Sequence, residues 1–241
     1  YTPPEPFKSR YAGRPYDGEV AFTDSLVGEF RQALEERGLL ASSLVILTAD
    51  HGEGLGDHDE ASHGFFVYDT TIHVSLIVRP PAAVEGGRVV DSAVSHVDIF
   101  PTVLDAVGLS APKQVHGQSL LPVIAGENIE PRGGVYSESL YPLLHYGWAP
   151  LRAIRTENRK LISAPRPELF NLVTDPREES NLSLEQPEVT SDLELRLADL
   201  RAKIERDAPS AGAAPDIDAA TLAQLQALGY AAGQGGVSLE E

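Results

Sequence analysis

The chain has 241 residues, 42% apolar and 23% charged, with 36 acidic against 19 basic side chains and a formal net charge of −17. This is the composition of a soluble globular protein of one large domain, or one domain with an appendage, long enough to bury a core. The acidic balance excludes a nucleic-acid backbone or an anionic membrane surface as partner, since both require a basic face. No apolar run approaches the about 20 residues of a membrane span, and nothing at the start has the pattern of a signal peptide. Cysteine is absent, which removes disulfides, thiolate metal sites and a thiol nucleophile. Methionine is absent too, and the chain opens on Tyr1-Thr2-Pro3-Pro4, so a fragment or processed piece of a longer protein is expected.

In chain order, the Pro-rich entry over 1–16 reads as irregular surface. Val20, Val27, Phe30 and Leu34 recur at helical spacing over 19–37, with Gly38 as the stop. Leu44-Val45-Ile46-Leu47-Thr48 is a continuous apolar run that predicts a strand buried on both faces, as in a parallel sheet flanked by helices. A Gly-, Asp-, Glu- and His-rich loop over 52–63 follows, then a second buried strand at 74–78. Ser95 predicts the cap of a helix to about Val107 closed by Gly108, with Pro101 awkwardly inside it.

Beyond about residue 125 the texture changes to short strands at 134–139, 152–156, 159–163 and 168–172, with Glu157-Asn158 as a tight turn. Such spacing predicts a small antiparallel sheet. A helix bearing Leu193, Leu197, Leu200 and Ile204 on one stripe comes next. An Ala/Pro/Gly/Ser linker over 207–218, a short helix at 221–228 and a disordered tail over 231–241 complete the expectation. The expected division is 1–125, an α/β catalytic portion; 126–206, an antiparallel subdomain with its helix; and 207–241, linker and tail.

Chemistry concentrates in Thr48-Ala49-Asp50-His51-Gly52-Glu53, followed by Gly54-Leu55-Gly56-Asp57-His58 and Ser62-His63-Gly64. Asp50 and His51 follow a buried strand, where open α/β sheets place ligands, and Gly52 frees the backbone to turn both side chains to one side. Carboxylate plus imidazole suits Zn²⁺ or Mn²⁺ better than Ca²⁺, which prefers oxygen. The same pair also reads as a turn with a capping Asp. His58 reads as a solvated loop imidazole, His63 as loop surface or a side chain turned into a cleft, and Asp57, Asp59 and Glu60 as a solvated acidic run. Trp148 reads as core or rim packing, His145 as a pocket residue, Asp24 as helix and sheet packing, and His96 and His116 as structural.

These blocks, with Tyr16-Asp17-Gly18-Glu19, Val97-Asp98-Ile99-Phe100-Pro101-Thr102, Gly117-Gln118-Ser119-Leu120-Leu121-Pro122 and 168–176 with Asn181-Leu182, run in order as in the second half of a sulfatase catalytic domain. The chain thus resembles the sulfatase family of the alkaline phosphatase superfamily. The resemblance implies an alkaline-phosphatase-like α/β sandwich, part of a mostly parallel sheet flanked by helices, with a small C-terminal antiparallel sheet and helix. It implies a sulfuric or phosphoric ester hydrolase with one divalent metal (Ca, Mn or Zn), Asp50 and His51 as metal ligands, and His63 and His145 as substrate contacts. His63 stands where sulfatases usually carry Lys, as in phosphoethanolamine transferases; there a protonated imidazole can act catalytically by stabilising the leaving group.

The family's nucleophile, a Cys or Ser in C/S-x-P-x-R converted to formylglycine, has no counterpart; Ser163-Ala164-Pro165-Arg166-Pro167 lacks the Arg at the fifth place and lies out of order. Nucleophile and formylglycine are expected only in a missing N-terminal half, which is then the chain's own partner, and the chain alone is expected to be inactive and to expose an apolar face where the missing strands pair. The expected substrate is a small-molecule or glycan sulfate or phosphate ester, and the family resemblance implies a periplasmic or secreted protein. Two alternatives remain: a phosphoryl or phosphoethanolamine transferase or phosphonate/phosphodiester hydrolase of the same superfamily, and a non-catalytic acidic metal-binding or interaction module.

Overall fold

In a computed structural model of the chain, residues 1–81, 86–127 and 133–208 are described, with positions 220, 221 and 224. Of the linker expected over 207–218, residue 207 is helical and 209–218 lie outside the described residues, as does the tail; of the short helix expected over 221–228, positions 221 and 224 are described and helical, as is 220. The N-terminal stretch is less irregular than its prolines imply: it holds a single turn, α1 (Phe7–Arg10), and α2 (Pro15–Glu36) begins inside it. Pro15 opens α2 at a position where a missing N–H costs nothing. Gly38 closes it, with Leu39 N–H reaching back to Leu34 O at 2.9 Å. The apolar stripe of α2 is on the surface, however: Val20 is 53% and Phe30 65% exposed, and Asp24 is exposed rather than packed.

β1 (Val45–Thr48) leads into the 49–68 loop, α3 (Asp69–Ile72) and β2 (Leu76–Arg79). The expected parallel pairing is not found among the described residues. β1 and β2 run antiparallel, with Val45 opposite Arg79 and Thr48 opposite Leu76, and Leu47 and Ile77 remain exposed. An apolar run reports a two-faced burial site and carries no information on strand direction. Next, α4 (Ile99–Ala106) follows a short turn over His96–Asp98. Ser95 and Asp98 form a capping box, and Pro101 is the third helical residue, where the first turn has no intrahelical acceptor for an N–H.

Two of the sequence blocks owe their form to one buried junction. Asp98, fully buried, accepts the backbone N–H groups of Ser95 and Gln118, both at 2.9 Å. Thr102 donates to Asp98 O at 2.6 Å and accepts from Leu120 N–H at 2.9 Å. Gly117 is there because a Cβ would stand 1.8 Å from Val97 O. The junction delivers the chain to α5 (Leu121–Ala125).

The C-terminal sheet matches expectation. β3 (Val135–Ser139), β4 (Leu151–Arg155), β5 (Arg159–Ser163) and β6 (Glu168–Asn171) form an antiparallel sheet in sequence order, with α6 (Tyr141–Tyr146) between β3 and β4. Alternating side chains divide between its two faces. Ile154, Leu161 and Leu169 pack on Leu193 and Leu197 of α7 (Pro187–Asp207), while Ala153, Ile162 and Phe170 pack on Val67, flanked by Tyr68 and Ile72. The sheet therefore clamps the segment that leaves the 49–64 loop. A buried charge cluster seals the clamp: the ammonium of fully buried Lys160 is 2.8 Å from Asp69 Oδ1 and 2.8 Å from Glu178 Oε1, the latter without hydrogen-bond alignment. Arg155 Nε is 3.2 Å from Asp69 Oδ2.

Candidate functional site

The loop after β1 is drawn tight by its glycines. Gly52 N–H donates to Thr71 O and Gly54 N–H to Ser62 O, each at 2.7 Å. A Cβ on Gly52 would stand 2.2 Å from Thr70 O, and one on Gly54 2.3 Å from Glu60 O. These close approaches, more than any turn preference, fix Gly at both positions.

On this frame Asp50, His51 and His63 come together. His51 Nδ1–H donates to Gly52 O at 2.8 Å, which orients the ring and leaves Nε2, 3.6 Å from Asp50 Oδ2, as the nitrogen able to coordinate. The His63 ring stacks on His51 with centroids 3.7 Å apart at 28°. His63 Nδ1 is 3.3 Å from Glu53 Oε1, whose carboxylate is nearly buried and also receives the Tyr1 hydroxyl. Asp50 and His51 offer one oxygen and one nitrogen on an accessible face, a donor set that fits Mn²⁺ or Zn²⁺. Among the described residues no cluster of three or more such donors forms.

Glu53 was not singled out by the sequence reading, although a Glu between two glycines was the available signal. The acidic run is also not uniformly solvated. Glu60 is buried and accepts Phe65 N–H at 2.8 Å, so it shapes the turn beyond His63. His58 is no free loop imidazole: it stacks on Tyr68 at 3.6 Å and donates to Arg177 O at 3.0 Å. Tyr68 in turn donates to Glu168, and burial followed by that carboxylate pushes its hydroxyl pKa well up. His145 does not join the imidazole pair; it is exposed on α6, stacked on Tyr141 at 4.0 Å. Trp148 lies on the rim, 59% exposed. His96 approaches Thr48 Oγ1 at 3.3 Å, and His116 lies 3.8 Å from Asp207.

The chain is similar to known proteins along most of its length. Residues 3–109 match the sulfatase family model and residues 60–203 that of the N-sulphoglucosamine sulphohydrolase C-terminal region. Arylsulfatase K of Bos taurus is 39% identical over 107 residues, 44% of this chain and 19% of that protein. N-acetylglucosamine-6-O-sulfatase of Bacteroides thetaiotaomicron is 32% identical over 158 residues, 62% of this chain and 27% of that protein. Among solved structures, BT4656 in complex with its substrate D-glucosamine-2-N,6-O-disulfate superposes with a TM-score of 0.69 at 28% identity, covering 81% of this chain and 41% of that one. The phosphonate monoester hydrolase of Agrobacterium radiobacter gives 0.66 at 28% identity over 79% and 41%.

The chain thus spans about a fifth to a quarter of these curated relatives and under half of the solved neighbours. The described residues contain no helix long and apolar enough to cross a membrane. The antiparallel strand pair and the C-terminal sheet are a portion of the alkaline-phosphatase-like α/β sandwich of those neighbours, and the chain belongs to the sulfatase family.

Proposed function

We propose that the protein hydrolyses a sulfate ester on a small molecule or glycan, and that Asp50 and His51 supply two ligands of its divalent metal. The observation that carries this reading is the stacked pair of His51 and His63 beside Asp50, directly after β1. Asp50 and His51 would hold a divalent cation, which would supply positive charge to the reacting ester. His51 would hold it through Nε2, its Nδ1 being fixed on Gly52 O. His63, with Nδ1 toward Glu53, keeps Nε2 to donate to an anionic or leaving-group oxygen. The nucleophile, a formylglycine in this family, is contributed by residues other than these. The names of the relatives and the disulfated glucosamine bound by BT4656 support a glycan sulfate as substrate, and the same kinship supports a periplasmic or secreted location.

A second reading, phosphonate or phosphodiester hydrolysis, is favoured by His63 in place of the usual Lys and by the likeness to a phosphonate monoester hydrolase. Expression of the full reading frame that encodes the chain, assayed on N-acetylglucosamine 6-sulfate and on a phenyl phosphonate ester, separates the two. Replacement of Asp50 or His51 by Ala is expected to abolish turnover of the preferred substrate, and His63→Ala to lower it on the order of 10²-fold. Full turnover in Asp50→Ala overturns the metal assignment. Tight metal binding without turnover of either ester favours a non-catalytic module.

A further inference from the structure

The C-terminal sheet has two ends, and only one of them meets the candidate site. Ser139, at the end of β3, donates to Gly64 O at 2.6 Å, next to His63. Val135 begins the same strand four residues earlier, opposite Arg155 and about 13 Å along the sheet. At that far end lies a cavity of about 750 Å³, lined by Arg155, Arg159 and Arg196 with Glu157 as the one carboxylate.

The hairpin between β4 and β5 brings these cations together. Arg155 closes β4 on the face of Ala153, whereas Arg159 opens β5 on the face of Leu161, the one covered by α7. Arg196 comes from α7 itself, one residue before Leu197. Arg159 N–H donates to Thr156 Oγ1 at 3.1 Å, and Thr156 N–H to Arg159 O at 2.8 Å, which fixes the turn. Gly134 lets β3 start hard against β4, since a Cβ there would stand 2.5 Å from Ile154 Cγ1.

The three guanidiniums differ in their partners. Arg155 Nε is 3.2 Å from Asp69 Oδ2, and Arg196 Nη2 is 2.9 Å from Asp192 of its own helix. The half-buried Arg159 side chain has no ion pair among the described residues, and its enclosed Nη1 has no acceptor. An enclosed guanidinium nitrogen without an acceptor costs free energy, and two further cations on the same cavity raise that cost. In a chain of formal net charge −17, composition does not produce such a gathering of cations.

We propose that this cavity binds the phosphate- or sulfate-type head group of a small organic anion. The head group sits on the edge formed by Nε and Nη2 of Arg159, with Arg155 and Arg196 flanking it. That edge is a planar fork that matches two oxygens of the head group. The cavity falls within the about 300–1,000 Å³ of small-molecule sites, more than a bare ion fills. Gln118, Asn158 and Thr174 offer amide and hydroxyl groups to the rest of the ligand. The site is separate from the 50–63 loop and does not rest on the reading of that loop as an ester site.

The test is made in the protein expressed from the full reading frame. Asp50→Ala combined with His63→Ala removes the ester site as a competitor, and calorimetric titrations are run in that background at constant ionic strength. Glycerol 3-phosphate is expected to bind saturably at one site, and more tightly than inorganic phosphate. Arg159→Gln is expected to weaken it about tenfold, and Arg159→Lys, which keeps the charge but loses the fork, by less. Glu157→Gln, on the exposed turn, is expected to tighten binding, because the carboxylate that repels the head group is then gone. No saturable binding, or binding that Arg159→Gln and Glu157→Gln leave unchanged, overturns the site. Inorganic phosphate bound as tightly as the ester overturns the organic ligand. Because the background lacks the ester site, failure of the ester reading leaves these titrations unaffected.

Discussion

Nδ1 of His63 faces the carboxylate of Glu53 at 3.3 Å. Glu53 has little freedom to do otherwise: its side chain is nearly buried between two glycines that cannot carry a Cβ, and it also receives the Tyr1 hydroxyl. A buried carboxylate with two donors orients the imidazole. Glu53→Gln preserves shape but presents a group that donates as well as accepts, so the ring loses its fixed orientation. In the enzyme expressed from the full reading frame, kcat is expected to fall about 10- to 100-fold, with the metal dissociation constant unchanged, because Glu53 touches His63 and not His51. Unchanged kcat contradicts the positioning role.

The close packing of the loop gives a second expectation. Gly52→Ala places a methyl 2.2 Å from backbone Thr70 O, so either 50–53 or 70–71 must shift, and the Gly52–Thr71 hydrogen bond with it. The His51–His63 stack is then broken. Imidazole resonances followed by NMR in the chain itself are expected to show both rings displaced. Unperturbed resonances mean that the loop yields without moving the site.

How much of this was legible in the sequence depends on what kind of signal each feature leaves. The four short strands of the C-terminal sheet were readable because turn residues such as Glu157-Asn158 punctuate them and period-2 alternation marks two buried faces. The helix carrying Leu193 and Leu197 was readable for the corresponding reason at period 3.6. The direction of β1 was not, since Leu44 to Thr48 reads alike in a parallel or an antiparallel pair. Spacing and family likeness single out Asp50, His51 and His63, and the loop brings these three side chains together. Glu53 and Glu60 were read as polar loop, because burial of a carboxylate depends on tertiary donors such as Phe65 N–H that leave no local trace. Lys160 was hidden likewise: a Lys inside an apolar strand becomes explicable only once Asp69 and Glu178, distant in sequence, are seen beside it.

That cluster makes Lys160 the residue on which the clamp depends. Lys160→Met fills similar volume but leaves the Asp69 and Glu178 carboxylates without their shared ammonium, with Arg155 at 3.2 Å and His73 at 3.9 Å from Asp69. Removing one partner of a buried ion cluster costs roughly 3–5 kcal/mol, and urea unfolding of the variant is expected to show a loss of that order. Adding Glu178→Gln is expected to recover part of it, since one uncompensated charge is then gone. A double variant no more stable than Lys160→Met would mean that the loss is one of packing and not of charge.

Asp98 offers a test of the junction that links the 97–102 and 117–122 blocks. Asp98→Ala strands the N–H groups of Ser95 and Gln118, which it accepts at 2.9 Å each. Leaving a donor unsatisfied costs about 1–3 kcal/mol, so with two stranded the variant is expected to lose about 2–6 kcal/mol with both β-sheets intact by circular dichroism. A loss below 1 kcal/mol by chemical denaturation would show that water replaces the carboxylate at both N–H groups.

The two carboxylates at Lys160 should also set opposing trends with pH. Burial opposes ionisation of both. At Asp69 it is outweighed by Lys160 and then Arg155, so the carboxyl titrates below its ordinary 3.8. At Glu178 burial prevails over Lys160, and the carboxyl titrates above its ordinary 4.5. For Asp69 the unfolded chain binds the proton more readily, so its contribution is present above 3.8 and is lost as pH falls through the folded value. For Glu178 the folded chain binds the proton more readily, so its contribution is full below 4.5 and declines as pH rises through the folded value. Urea unfolding across this range, wild type against Glu178→Gln, is expected to differ in slope only above 4.5, where the variant's stability falls less with rising pH. Below 3.8 both keep the acid limb that Asp69 supplies. Parallel profiles above 4.5 would mean that Glu178 remains ionised on folding, with Lys160 outweighing burial there as it does at Asp69.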